Sequence, residues 1–143
     1  VDEQLTMTGH LQIRLNDELV RDVPNLVVTA GKGFVATRMI GTGAGVMSHM
    51  EVGTGTTDPA AGNTTLESAV SSSRTAFTSS AAVSGAVVTY ITAFAAGTGT
   101  GALTEAGIFN ASSGGTMLCR TEFSVVNKGA ADTMTITWTV TVS

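Results

Sequence analysis

Thr133-Met134-Thr135-Ile136-Thr137-Trp138-Thr139-Val140-Thr141-Val142 alternates without a break, Met134, Ile136, Trp138, Val140 and Val142 on one face and five threonines on the other. That period of two is the signature of a half-buried β-strand. Residues 5 to 16 repeat it: Leu5, Met7, Leu11, Ile13 and Leu15 lie on one face, with Thr6, Thr8, His10, Gln12, Arg14 and Asn16 on the other. A chain bounded by two such strands, with its polarity carried mostly by Thr, Ser and Gly, has few side chains left for acid, base or metal chemistry. Its function is therefore sought in its surfaces.

The 143 residues suit one domain, and a domain of that size buries roughly 68 to 70% of its unfolded surface without staples. Charged residues are only 13% of the chain, about half the usual share, so hydroxyl, glycine and apolar groups must supply much of the exterior. The net charge is −4, and Arg14, Arg21, Lys32, Arg38, Arg74, Arg120 and Lys128 are scattered, which gives no basis for direct nucleic-acid binding. The lone Cys119 has no partner for an internal disulfide and alternates with Met117, Phe123 and Val125, as a reduced core thiol would. Trp138 and Phe123 are expected in the core. Val1-Asp2-Glu3-Gln4 lacks the basic and apolar stretches of a signal peptide, and no apolar run reaches membrane-spanning length, so a soluble protein not exported by a visible signal is expected. The N-x-S/T matches at Asn63 and Asn110 are discounted for want of a secretory route.

Asn16-Asp17 reads as the turn of a hairpin over residues 5 to 23, ended by Pro24. Thr29 is placed as N-cap of a helix over about 30 to 40, with Val35 and Met39 stacked and Gly41 as its stop, while Gly31 and Gly33 each weaken it by about 1 kcal/mol. A strand is expected over 47 to 52. The capping-box spacing of Thr64 and Glu67 predicts a helical turn over 65 to 70. Further strands follow over 74 to 79, 86 to 94, 103 to 110 and 116 to 126. Segment 86 to 94 is apolar on both faces, Val88, Tyr90 and Phe94 against Val87 and Ile91, and is read as central or covered by a partner. The fold class is all-β: a two-sheet antiparallel sandwich, jelly-roll-like, with one short helix. Residues 1–143 read as a single β-sandwich domain in which residues 1–23 form an N-terminal hairpin, with an arm as its alternative.

No catalytic, cofactor-binding or metal-binding residues are assigned. His49 and Glu51 share a strand face, but no nucleophile or orienting group accompanies them, and His10 is placed on the solvent face of the first strand. Two histidines, one cysteine and dispersed carboxylates give no zinc or calcium spacing. Gly31-Lys32-Gly33 lacks the remainder of a phosphate loop, and the Gly/Thr runs lack dinucleotide-binding spacing. Arg120 and Glu122 are read as a surface ion pair worth roughly 0 to 1 kcal/mol, of more use in orienting an interface. The Gly/Thr loops at 41 to 45, 53 to 63 and 97 to 101 are expected to be ordered by docking. The candidate interface comprises Gly53, Thr54, Gly55, Val87, Ile91, Gly99, Arg120 and Glu122.

Three blocks carry a family resemblance: Ser48-His49-Met50-Glu51-Val52-Gly53-Thr54-Gly55-Thr56-Thr57-Asp58-Pro59-Ala60-Ala61 through Leu66 and Val70; Leu103-Thr104-Glu105-Ala106-Gly107-Ile108-Phe109-Asn110 through Gly115-Thr116-Met117-Leu118-Cys119-Arg120; and Ala131 through Val140. Over roughly Leu26 to Val142 they resemble small virion proteins of tailed double-stranded DNA bacteriophages, the nearest being capsid cement, or decoration, proteins. The resemblance implies a β-module without catalysis on the outer capsid surface, made in the host bacterial cytoplasm, that bridges neighbouring major capsid proteins. Self-association is expected, as a homodimer with a trimer as runner-up, because low charge and a two-faced strand leave apolar surface to cover. A phage tail or fibre module and a carbohydrate-binding β-sandwich are the alternatives. The glycan reading is weakened by a tryptophan that alternates inward and by a single tyrosine.

Overall fold

The two alternating end segments are neighbours. In a computed structural model that describes residues 4–41, 43 and 45–143, β1 (Met7–Leu15) and β9 (Met134–Val142) pair antiparallel over their whole length, from Met7↔Val142 through Leu11↔Trp138 to Leu15↔Met134. Their apolar faces coincide, and Leu11, Ile13, Ile136 and Trp138 are wholly buried. β1 is flanked on its other edge by β2 (Glu18–Val27), so the hairpin is built into the sheet and is no arm. Asn16 and Asp17 both take positive φ, 49° and 68°, the pattern of a tight two-residue turn.

Pro24 does not end the hairpin, whose register continues through His10↔Pro24 and Gly9↔Asn25. Its carbonyl accepts from Thr121 Oγ1, on the side away from β1, and a strand residue's nitrogen and carbonyl point the same way. The ring therefore removes no donor from the β1 ladder.

The remaining elements are α1 (Thr29–Arg38), β3 (His49–Gly53), β4 (Thr75–Ala76), β5 (Ala82–Ser84), β6 (Val87–Phe94), β7 (Gly101–Phe109) and β8 (Met117–Lys128). The strands form one curled antiparallel sheet in the order β4-β3-β7-β8-β2-β1-β9-β6-β5. β2 holds its two parts together, pairing with β1 up to Asn25 and with β8 at Leu26 and Val27. The curl brings its far ends together, where Thr78 N–H donates to Ile91 O and Thr78 Oγ1 accepts from Ala93 N–H. The result is mostly β with one short helix, a half-barrel around a common apolar core.

Several local expectations are corrected. α1 has Val28 at its N-cap with no side-chain cap, and Thr29 lies inside the helix. Gly41 does take the left-handed conformation just beyond it, but Met39 is 83% exposed and does not pack with Val35 against the core. Gly31 is required rather than tolerated, since a Cβ there would lie 2.1 Å from Leu118 O. No helical turn forms over 65 to 70, because Glu67 reaches back to accept from Thr56 and Thr57 N–H. The strand expected over 74 to 79 has only two paired residues, and β5 with its Gly85-Ala86 turn was not foreseen. β6 is not central but next to the edge strand β5. Val125 points out, 43% exposed, because the β7–β8 register shifts between Leu103 and Glu105. Cys119 is fully buried, and burial pushes its thiol well above the usual range. Among the described residues no helix is long and apolar enough to cross a membrane.

Candidate interaction surface

The outer face of β6, β9 and β1 follows from register alone. Thr137 of β9 lies between Ile91 of β6 and Gln12 of β1, Thr139 between Thr89 and His10, and Thr141 between Val87 and Thr8. The opposite parity, Phe94, Trp138 and Leu11 among them, is buried, so the threonines must face away from the core. Val87 and Ile91 are thereby placed together on this outer face, both half-buried. The face consists mainly of hydroxyl and methyl groups on regular strand spacing, bordered by the His10–Asp22 contact and by Arg14. Such a surface loses little on desolvation because its hydroxyls can exchange hydrogen bonds with a partner.

The other predicted interface residues do not join it. Arg120 is 2% exposed and pairs with Glu105, Nε to Oε1 at 3.1 Å, rather than with Glu122. Polarity on a strand is not the same as solvent exposure: the outer face of β7 and β8 is roofed by α1 and by the chain from 53 to 70. Glu105, wholly buried, is the fastener of that roof. Its Oε1 also accepts from Glu67 N–H at 2.8 Å, and its Oε2 from Gly55 and Ser68 N–H at 2.6 and 2.8 Å. Arg120 completes the clasp through Asn63 Oδ1 and Thr57 O. Glu122 is half-buried and forms no ion pair among the described residues.

The glycines of this loop serve the clasp. A Cβ on Gly55 would lie 2.1 Å from Glu105 Oε2, and one on Gly53 2.5 Å from Ser68 O, so both are buried where only hydrogen fits. Thr54 exposes its side chain while its N–H donates to Ser68 O. The expectation that loop 53 to 63 is ordered only by docking is therefore corrected: internal hydrogen bonds order it. The same holds for 97 to 101. Gly99 is buried against Val52 with φ +64°, and Lys128, a residue 1% exposed, donates through Nζ to Ala95 O at 3.0 Å beside this turn. Burial lowers the Lys128 pKa, and nearby Asp132 works in the opposite direction. In the loop 41 to 45, Thr42 and Ala44 lie outside the described residues; Gly45 O accepts from Asn110 Nδ2.

His49 and Glu51 do share a face, but Glu51 belongs to Arg74. The pair is Nε to Oε2 at 3.3 Å, both side chains mostly buried, with the guanidinium 3.7 Å above the Phe109 ring and Nη1 donating to Ala111 O. His49 Nδ1 contacts Ser48 Oγ at 2.7 Å; burial first and the Arg74 charge second lower its pKa, which favours the neutral ring. With Glu51 held by Arg74, no carboxylate among the described residues orients that imidazole. Trp138 is wholly buried, and Tyr90 stacks obliquely on Phe77 at 5.1 Å, with burial pushing its phenol up to about 12. Neither offers a sugar-stacking platform.

Sequence reasoning missed Glu105, whose only signal is a carboxylate in an otherwise apolar run flanked by small residues. Comparison with protein-family models, curated proteins and solved structures finds no match.

Proposed function

We propose that this chain is a virion structural protein: a cement module that sits on the outer surface of a tailed-phage capsid and bridges neighbouring major capsid proteins. The observation that carries the reading is the outer face of β6, β9 and β1, an ordered array of threonines around Val87 and Ile91. The resemblance of the blocks around Val52, Glu105 and Trp138 supports it. So does the use of ionisable groups, since Glu105, Arg120, Glu51, Arg74 and Lys128 are engaged in holding loops. We read the two parts of the curled sheet, joined through β2, as the layers of a jelly-roll-like sandwich. The same face is the proposed contact of a homodimer, twofold association being the commonest way to cover such a surface. The protein is then made in the host bacterial cytoplasm and resides on the virion.

The test adds purified protein to head shells that lack it, taken from the phage or prophage encoding the chain, and images them by cryo-electron microscopy. Saturable density at subunit seams is expected. Val87→Arg and Ile91→Arg, on the outer face, should lower the dimer fraction and occupancy while the far-ultraviolet circular dichroism stays unchanged. Binding to tails or glycans but not to shells would overturn the reading.

A further inference from the structure

The sheet ends on two edge strands, β4 and β5. β4 has only two residues, and the chain leaving it is tied to β6 through Thr78 N–H and Oγ1. The register of β5 with β6, Ala82↔Thr89, Val83↔Val88 and Ser84↔Val87, fixes which of its backbone groups are spent. Gly85-Ala86 is a two-residue turn, so its closing pair, Ser84 and Val87, exchanges both N–H···O=C bonds, and Ala82 and Thr89 do the same. On the far side of β6, Val142 N–H donates to Ala86 O, in agreement with that phase. Val83 lies between the two bonded pairs, so its N–H and C=O point outward, where no other segment among the described residues takes them. Its side chain is 69% exposed, the largest exposure of a bulky apolar side chain on any described strand. Val83 shares the core-side face with Val88, while Ala82 and Ser84 share the outer face with Thr89 and Val87. The usual guards of a free edge are absent, since from Thr75 to Thr104 the sequence holds no Asp, Glu, Lys, Arg, His or Pro.

We infer that β5 is a strand-addition site whose occupant is β5 of a second copy, the two strands running antiparallel about a twofold axis through Val83. Self-complementarity selects the occupant. In that register the N–H of Val83 meets the C=O of its own copy and receives the reciprocal bond, and Ala82 stands opposite Ser84. A twofold axis also sets each side chain near its own copy, so a charged edge would repel itself; this edge carries no charge, and its two exposed valines cover each other. The contact rests on the register of β5 and β6 and not on the shell reading. It leaves the threonine face of both copies free and brings the two faces to the same side of one continued sheet.

The test uses the whole protein carrying Ile91→Arg, so that the threonine face is silent and association reports on the edge. The Val83 amide should exchange freely at micromolar protein and become protected at millimolar protein, while the Ala82 amide, bonded to Thr89, is slow throughout. Val83→Lys and Val83→Glu each place like charges opposite one another, so each should weaken self-association by about fivefold in sedimentation, and an equal mixture of the two should recover it. Val83→Pro removes an N–H that the β5–β6 ladder does not use, so it should abolish association while the far-ultraviolet circular dichroism stays unchanged. A Val83 amide still unprotected at millimolar protein, or a mixture no stronger than either variant alone, would overturn the proposal. So would assemblies larger than two in this background. A Val83 amide protected only when head shells are added would make the edge a site for a strand of another protein, and would overturn it as well. Each readout sits at Val83, so failure here leaves the threonine face as a contact, and failure of that face leaves this one.

Discussion

Replacing Glu105 by glutamine keeps the shape of the clasp and removes half of its acceptors. The carboxylate receives four donors, Glu67 N–H and Arg120 Nε–H on one oxygen and Gly55 and Ser68 N–H on the other. Whichever way the amide is turned, its NH2 group faces two of them. Each buried donor left unpaired costs about 1–3 kcal/mol. Breaking a buried ion pair from one side costs about 3–5 kcal/mol. The two overlap at Arg120, so we expect a loss of about 4 kcal/mol rather than their sum. With a urea slope of about 2 kcal/mol/M for a domain of this size, the unfolding midpoint should fall by about 2 M at unchanged slope. Amide hydrogen exchange supplies the local readout: Gly55, Glu67 and Ser68 should lose protection while the β1–β9 ladder keeps its own up to the lowered global limit. The double variant Glu105→Leu with Arg120→Met separates two explanations. Were the ion pair alone important, apolar replacement would restore stability; because the carboxylate also holds three backbone N–H groups, the double variant should stay destabilised by about 3 kcal/mol or more. A Glu105→Gln cost under about 1 kcal/mol, or full recovery in the double variant, would refute the reasoning.

Two glycines of α1 should respond in opposite directions. Gly33→Ala meets nothing within 4 Å and should stabilise by about 0.5–1 kcal/mol, whereas Gly31→Ala drives a methyl into Leu118 O and should destabilise by about 1–3 kcal/mol or more; urea midpoints moving the same way would contradict the packing. Arg21→Ala frees the carbonyls of Ser124 and Val125 on the edge of β8, so stability should fall by about 1–2 kcal/mol and higher-order association should rise in sedimentation. Unchanged sedimentation and stability would remove Arg21 as an edge guard. Asp132 is held below the ordinary carboxylate value of 3.8, first by the Asn16 amide and then by Gly129 N–H. Its contribution is therefore complete above that value and is lost as pH falls through the depressed folded one, so Asp132→Asn should flatten the acid limb of a stability–pH curve. An acid limb identical to wild type would exclude that role.

What was legible in the chain was whatever depends on local period. The alternations around Leu11 and Trp138 identified two strands and their buried faces, Asn16-Asp17 marked the hairpin turn and Gly41 the end of the helix, because period and backbone sign are written residue by residue. The roof over β7 and β8 was illegible for the opposite reason. Thr64 and Glu67 have capping-box spacing, yet Glu67 is captured by amides about ten residues back, and only the folded loop brings those near. Alternation told which residues share a face with Arg120 but not whether that face meets water. β5 escaped notice because three small residues beside a turn carry no pattern.

The pairing of β1 with β9 also decides how this molecule can be pulled. Thr6 and Ser143 exchange backbone hydrogen bonds, so the two strands enter and leave the sheet at the same end. Tension applied between those two points opens the ladder like a zipper, one rung at a time, and meets little resistance. Tension applied along the strands, between the 129 to 132 turn and Thr6, loads the rungs of that ladder in parallel, as shear. A module meant to carry strain between neighbours should therefore be gripped by its faces and loops, and a tether at both of those points would waste its longest ladder.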